Sequence, residues 1–179
     1  MTLRQIFAGI WLSSGLPTEL ADLAIDGLEY DSRRAGNNSL FFAFQGQRAD
    51  GRSFARQALA RGARAVVSEL PKPEGLEAPW IAVEHGRQAL ALAARNFFGA
   101  PDERLQITGI TGTNGKTTVA WLMDSILRAA GKTTALIGTI QYRLAGEERP
   151  APNTTPESLD LYRLFAELEQ KGGSHVTME

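Results

Sequence analysis

Gly109-Ile110-Thr111-Gly112-Thr113-Asn114-Gly115-Lys116-Thr117-Thr118 joins an apolar, strand-like run, LQITGIT (105–111), to a segment of helical periodicity. A glycine-rich turn between strand and helix lets backbone N–H groups converge on phosphate oxygens without side-chain obstruction, and the helix N-terminus adds partial positive charge. Lys116 is placed to reach β- and γ-phosphates, and the Thr117 hydroxyl to ligate the Mg²⁺ that accompanies a nucleoside triphosphate. The chain has four lysines against fifteen arginines, so a lysine at this position carries information. A strict phosphate-loop spacing would begin with glycine at 110, where Ile110 stands, so the spacing is a variant. The plain alternative is a glycine-rich turn beside a solvated lysine; the strand–turn–helix context favours triphosphate binding.

On the C-terminal side, Val119, Leu122, Met123, Ile126, Leu127 and Ala130 form an apolar helical stripe that ends at Gly131. Thr134-Ala135-Leu136-Ile137 reads as a strand, and YRLAGEERPAP (142–152) as a variable stretch. A helix opening at Pro156 carries Leu161, Leu164, Phe165 and Leu168 toward a core, with Thr154 or Thr155 as its N-cap. HVTME (175–179) is a further strand. Strands alternating with helices predict a parallel sheet, and three strands with the chain stopping inside the last predict that more of it lies beyond residue 179.

On the N-terminal side, GAPDERL (99–105) interrupts the apolar periodicity and places a domain boundary near 100. Before it lie β-prone runs at 28–30 and 40–44, and a helix with Phe54, Ala55, Ala58 and Leu59 on one face, ended by Gly62. Strands at 65–67 and 80–83 and a helix over 87–98 follow. The fold class is α/β in two domains, 1–100 and 101–179.

The chain has 179 residues, 43% of them hydrophobic, which suffices to bury a core. A net charge of -1 provides no global field for nucleic acid, so phosphate recognition must be local. The absence of cysteine excludes disulfides, thiolate metal sites and a cysteine nucleophile. No run approaches the ~20 apolar residues of a spanning helix, and MTLRQIFAGIWLSSG lacks the pattern of a signal peptide. A cytoplasmic location is expected. His85 and His175 have no partner spacing for a metal site, and Arg52, Arg56, Arg61 and Arg64 read as a solvated helix face.

Three motifs in order, Asp31-Ser32-Arg33 with SLFFAFQGQRADGRSF (39–54), GITGTNGKTT (109–118) and Asn153-Thr154-Thr155-Pro156-Glu157, resemble the Mur ligases of peptidoglycan precursor synthesis, and most closely the branch that adds a diamino acid. The resemblance covers nearly the whole chain. It implies an N-terminal domain for the UDP-sugar (1–100), the opening part of an ATP-binding central domain (101–179), and a third domain outside these residues. It implies ATP and Mg²⁺ as cofactors, and UDP-N-acetylmuramoyl-L-alanyl-D-glutamate and meso-diaminopimelate or L-lysine as substrates. No nucleic acid, membrane or obligate protein partner is implied. The implied reaction moves the γ-phosphoryl group to a carboxylate, and the amine then displaces phosphate from the acyl phosphate. Such chemistry needs positioning and charge neutralisation more than a protein nucleophile.

Carried over by position, the resemblance assigns ATP to Gly112, Thr113, Asn114, Gly115, Lys116, Thr117 and Thr118, with Lys116 and Thr117 catalytic. Thr117 and Glu179 would hold the metal. The UDP-sugar peptide would be bound by Tyr30, Ser32, Gln47, Arg48, Ala49, Asn153, Thr154 and Thr155. The alternatives are the related D-Ala-D-Ala-adding ligase, which usually lacks the Thr113-Asn114 pair, and a non-catalytic nucleotide- or UDP-sugar-binding module. A folylpolyglutamate synthetase is disfavoured by the Asp31-Ser32-Arg33 domain. A switch GTPase is disfavoured by the lack of an Asn-Lys-x-Asp element.

Overall fold

Four short strands, β1 (Gly27–Glu29), β2 (Ser39–Phe42), β3 (Ala63–Ser68) and β4 (Trp80–Ala82), pair in parallel in their chain order. They form the first of two units, Met1–Phe97 and Phe98–Glu179, in a computed structural model that describes residues 1–46 and 49–179. The division falls just ahead of Gly99. Two short helices, α1 (Leu3–Ile6) and α2 (Thr18–Ala21), precede the sheet. Thr2 and Gln5 close a reciprocal capping box on α1.

Helix α3 (Ala55–Ala60) follows a single turn of 3₁₀ helix at Gly51–Phe54, and α4 (Gly86–Phe97) completes the unit. Ala55 and Ala58 are fully buried against Phe41, Val66 and Leu76. Small residues on that face let the helix backbone approach the sheet closely. Arg52 and Arg56, expected to be merely solvated, donate to the carbonyls of Pro71 and Gly75 and so tie down the proline-rich 71–79 segment.

The second unit is a five-stranded sheet in which 175–178 lies between 106–109 and 134–137, with 141–144 and 147–150 beyond the last. Strands β5 (Gln106–Gly109), β9 (His175–Met178) and β6 (Thr134–Ile137) are parallel, with α5 (Lys116–Ala129) and α6 (Ser158–Gln170) as connecting helices. Their core gathers Ala135, Ile137, Tyr142, Leu144, Phe165, Leu168 and Val176.

Three expectations change here. The 142–152 stretch, expected to be variable, contains an antiparallel hairpin of β7 (Gln141–Leu144) and β8 (Glu147–Pro150) that extends the sheet beyond β6. Its two-residue turn, Ala145-Gly146, has φ of 49° and 90°, the pattern of a type I′ turn whose twist matches the strands. Alanine at the first position hides the signal that Asn-Gly would have given. Helix α6 begins at Ser158 rather than Pro156, and its N-cap is Glu157, whose carboxylate accepts from the Ser158 amide. Neither Thr154 nor Thr155 caps it, because both hydroxyls are used elsewhere.

The third change concerns α5. Val119, Leu122 and Ile126 of its apolar stripe are 49%, 59% and 65% exposed, whereas Ala120 and Asp124 are fully buried. The face turned to the sheet is polar at its centre. Asp124 accepts from the Thr134 hydroxyl (2.6 Å) and from Arg143 (2.8 Å). The Arg143 guanidinium lies 4.6 Å from the Trp121 ring centroid and also reaches Glu148. Helix, parallel strand and hairpin are thus joined by one buried ion pair.

A second ionic cluster holds the hairpin to α6. Arg149 bridges Glu147 and Glu167, and Lys171 reaches both carboxylates. The hydrogen bond from Arg149 holds the Glu167 carboxyl below its ordinary range, and that from Lys171 does the same for Glu147. Carboxyl groups whose folded values are lowered add stability that is fully present above the unfolded value of about 4.3 and is lost as pH falls through the folded values. Thermal melts between pH 6 and pH 3 are therefore expected to show a decline below about pH 4, and that decline is expected to be shallower in Glu167→Gln. An unchanged slope in the variant would remove the cluster from the acid response.

Among the described residues no helix is long and apolar enough to cross a membrane.

Candidate functional site

Strand β5 delivers the chain to residues 110–115, and α5 starts at Lys116 after Gly115, which takes a left-handed φ of 80°. No side chain caps this helix. Among the described residues, the amides of Thr111 through Thr118 find no backbone acceptor; the first helical bond is Val119 N–H to the Gly115 carbonyl. The Lys116 ammonium folds back over the loop and donates to the Gly112 carbonyl at 2.8 Å. A row of unpaired N–H groups, a helix N-terminus and a lysine across the concavity is an arrangement that takes a polyphosphate.

The acidic partner comes from the neighbouring strand. Because β9 pairs directly with β5, with Gly109 opposite Met178, Glu179 lies at the C-terminal edge of the sheet next to the loop. Its carboxylate accepts from the hydroxyl of Thr117 (2.9 Å) and from the hydroxyl and amide of Thr139 (3.2 and 3.3 Å). Gly138, just after β6, permits this approach, since a Cβ there would lie 2.3 Å from a Glu179 carboxylate oxygen. Thr117 and Glu179 thus offer two hard oxygen donors in a cradle that a larger residue at 138 would fill. Mg²⁺ suits such a site, because it commonly takes one or two protein oxygens and completes its shell with phosphate and water. Among the described residues no cluster of three His, Cys, Asp or Glu side chains offers an all-protein metal cage.

The 153–155 segment lies against the same edge. Tyr142 of β7 donates its hydroxyl to the Asn153 carbonyl (2.6 Å). Thr155 donates to the Glu179 carbonyl (2.9 Å), and the Thr154 hydroxyl is 3.2 Å from that of Thr139. Loop, carboxylate and threonine segment therefore converge within one unit.

In the other unit, a cavity of about 480 Å³ is lined by Tyr30, Asp31, Ser32, Arg33, Phe54 and Gln57. Ser32 is buried and donates to Gln57 Oε1 at 2.6 Å. Arg33 grips Asp31 through two nitrogens and, by that hydrogen bond, holds its carboxyl below the ordinary range. Tyr30 stacks on Phe44, which in turn carries the Arg87 guanidinium at 5.0 Å from its ring centroid. The cavity wall therefore has a flat aromatic surface beside polar and cationic groups, which suits a planar, hydrogen-bonding ligand.

Of the residues expected from sequence, Gly112 to Thr118 and Glu179 meet at one edge, joined by Asn153, Thr154 and Thr155. Tyr30 and Ser32 share the cavity. The Ala49 carbonyl accepts from Gly46 N–H, and Gln47 and Arg48 lie outside the described residues. Sequence reasoning missed Thr139, Phe54 and Gln57. For Thr139 a signal existed: Gly138-Thr139 directly follows a buried strand, where a parallel sheet presents its functional edge.

Residues 24–98 match the model described as Mur ligase family, catalytic domain, and residues 110–179 match Mur ligase middle domain. The chain is 62% identical over its whole length to the UDP-N-acetylmuramoyl-L-alanyl-D-glutamate--2,6-diaminopimelate ligase of Solibacter usitatus, and 41% identical to that of Geobacillus kaustophilus. It spans 36% and 35% of those proteins, about a third of their length. A solved structure of a UDP-N-acetylmuramoyl-L-alanyl-D-glutamate--2,6-diaminopimelate ligase matches 90% of this chain and 33% of its own, at 27% identity and a TM-score of 0.75. The MurF ligase of Thermotoga maritima in complex with ADP shares the fold over 87% of this chain and 32% of its own, at 24% identity and a TM-score of 0.58.

Proposed function

The chain belongs to the Mur ligase family, and on that premise we propose that it is the sugar-nucleotide and ATP-binding part of an ATP-dependent ligase that adds a diamino acid to UDP-N-acetylmuramoyl-L-alanyl-D-glutamate. Residues 1–100 take the UDP end, with Tyr30 and Ser32 in the cavity of the first unit. Residues 101–179 open the ATP-binding domain. The observation that carries this reading is the meeting of unpaired amides, Lys116 and the Thr117–Glu179 pair at the C-terminal ends of the parallel strands of one sheet.

The residues divide the work by their chemistry. The amides of 111–118 bind phosphate oxygens, and Lys116 exchanges its bond to the Gly112 carbonyl for one to the β- and γ-phosphates, neutralising charge that grows as the γ-phosphoryl group leaves. Thr117 and Glu179 hold Mg²⁺, which when bound supplies Lewis-acid charge on the phosphates. Asn153, Thr154 and Thr155 orient the sugar-linked peptide so that its carboxylate meets the γ-phosphoryl group in line. In the ligase reaction that carboxylate becomes an acyl phosphate with release of ADP, and the diamino acid's amine then displaces phosphate to form the amide.

Calorimetric titration of the 179-residue chain tests this reading. ATP with Mg²⁺ and UDP-N-acetylmuramoyl-L-alanyl-D-glutamate are each expected to bind at one site, with ADP competing for the first and UDP for the second. A preference for GTP, or no binding of ATP at all, would overturn it.

A further inference from the structure

The Glu179 carboxylate can only accept hydrogen bonds, so the hydroxyl protons of Thr117 and Thr139 both point to it. A threonine hydroxyl has one proton. Once Thr139 has given its proton to Glu179, the 3.2 Å contact between Thr139 and Thr154 must be filled by the Thr154 proton. The relay therefore has one direction, from Thr154 to Thr139 to Glu179. Thr155 spends its own proton on the Glu179 carbonyl. Both threonines are left with lone pairs alone, so they face a ligand as acceptors, suited to an amide N–H or a sugar hydroxyl and unsuited to a carboxylate or phosphate.

We propose that Thr139 is a positioning residue, which sets the Glu179 carboxylate for the metal and fixes the Thr154 hydroxyl as an acceptor toward the sugar-linked peptide. The proposal rests on the nucleotide-site reading above but concerns a residue outside the phosphate loop. Thr139 holds both carboxylate oxygens, one through its amide and one through its hydroxyl, so loss of the hydroxyl frees the oxygen that Thr117 also contacts. Serine keeps the hydroxyl; valine keeps the shape without it.

The test compares the full chain with Thr139→Val and Thr139→Ser. ATP affinity is measured with and without Mg²⁺, and the three-bond couplings across the Thr154 Cα–Cβ bond are read by NMR without ligand. Thr139→Val is expected to bind metal-free ATP within about twofold of the unsubstituted chain but to lose about tenfold of the gain that Mg²⁺ confers, the scale of one charge-assisted hydrogen bond. Thr139→Ser is expected to keep that gain. Thr154 is expected to hold one rotamer in the unsubstituted and serine chains and to average among rotamers in the valine chain. A purely structural role would lower metal-free and metal-bound affinity together. The proposal is overturned if valine keeps the full Mg²⁺ gain, if serine loses as much as valine, if metal-free affinity falls in proportion, or if Thr154 is equally ordered in all three. If the unsubstituted chain binds no ATP, the nucleotide reading itself falls and the proposal with it, an outcome distinct from the other four.

Discussion

Lys116→Ala is expected to weaken ATP binding by roughly 30- to 1000-fold, the equivalent of about 2–4 kcal/mol for a charge partner removed from a phosphate. The free protein gives that lysine little else to do. Its one hydrogen bond is to the exposed Gly112 carbonyl, so the melting temperature is expected to hold to within about 2 °C, a change below 1 kcal/mol. The contrast between lost affinity and unchanged stability is the informative result. Lys116→Arg is not expected to rescue binding, because a planar fork does not replace a compact ammonium within a tight loop. Calorimetry with ATP, alongside thermal melts, reads both quantities; wild-type affinity in the alanine variant would remove the phosphate role from this loop.

Asp124→Ala carries the largest expected cost to the fold, about 3–5 kcal/mol, because it strands a buried guanidinium. Asp124 is fully buried, and the Arg143 side chain is only 9% exposed. Glu148 is too solvated to replace the lost carboxylate, and Thr134 loses its acceptor as well. The sign changes if both charges go. Asp124→Leu combined with Arg143→Met exchanges two desolvated ions for apolar contacts beneath Trp121, and the pair is expected to lie within about 1 kcal/mol of the starting protein or above it. Denaturant melts of the two single variants and the double variant close the cycle. If Asp124→Ala costs less than about 1 kcal/mol, the pair is not a keystone of this unit.

Both predictions bear on how far the residues disclosed the structure. The turn from β5 into α5 was legible because glycine marks the position, Gly115 at φ 80°, where the backbone turns left-handed ahead of the helix. The strand at 134–137 was legible because a buried parallel strand is a short, largely apolar run, and that at 175–178 because it follows the Gly172-Gly173 break after a helix. The hairpin was not, since Ala145 hides its turn, and Arg143 and Arg149 have partners in Asp124 and Glu167, 19 and 18 residues away on the two helices. The stripe on α5 misled for a related reason. Periodicity locates an apolar face but not what covers it, and Asp124 on the opposite face finds Arg143 only through tertiary structure. Thr154 and Thr155 matched a helix-capping pattern, yet each hydroxyl has a long-range partner, which local rules cannot see. Thr139 is likewise made functional by contacts with Glu179, forty residues away in sequence.

The strand order β5-β9-β6 has a consequence for biosynthesis. The last of these three to leave the ribosome occupies the middle place, so the two earlier strands have no mutual hydrogen bonds to form while they wait. Nascent chains must hold both of their edges open until 175–178 slots between them, a non-local closure of the kind that slows folding. The same insertion brings Glu179 beside Thr117, so the pair of oxygen donors proposed for the metal and the sheet itself are completed in one event.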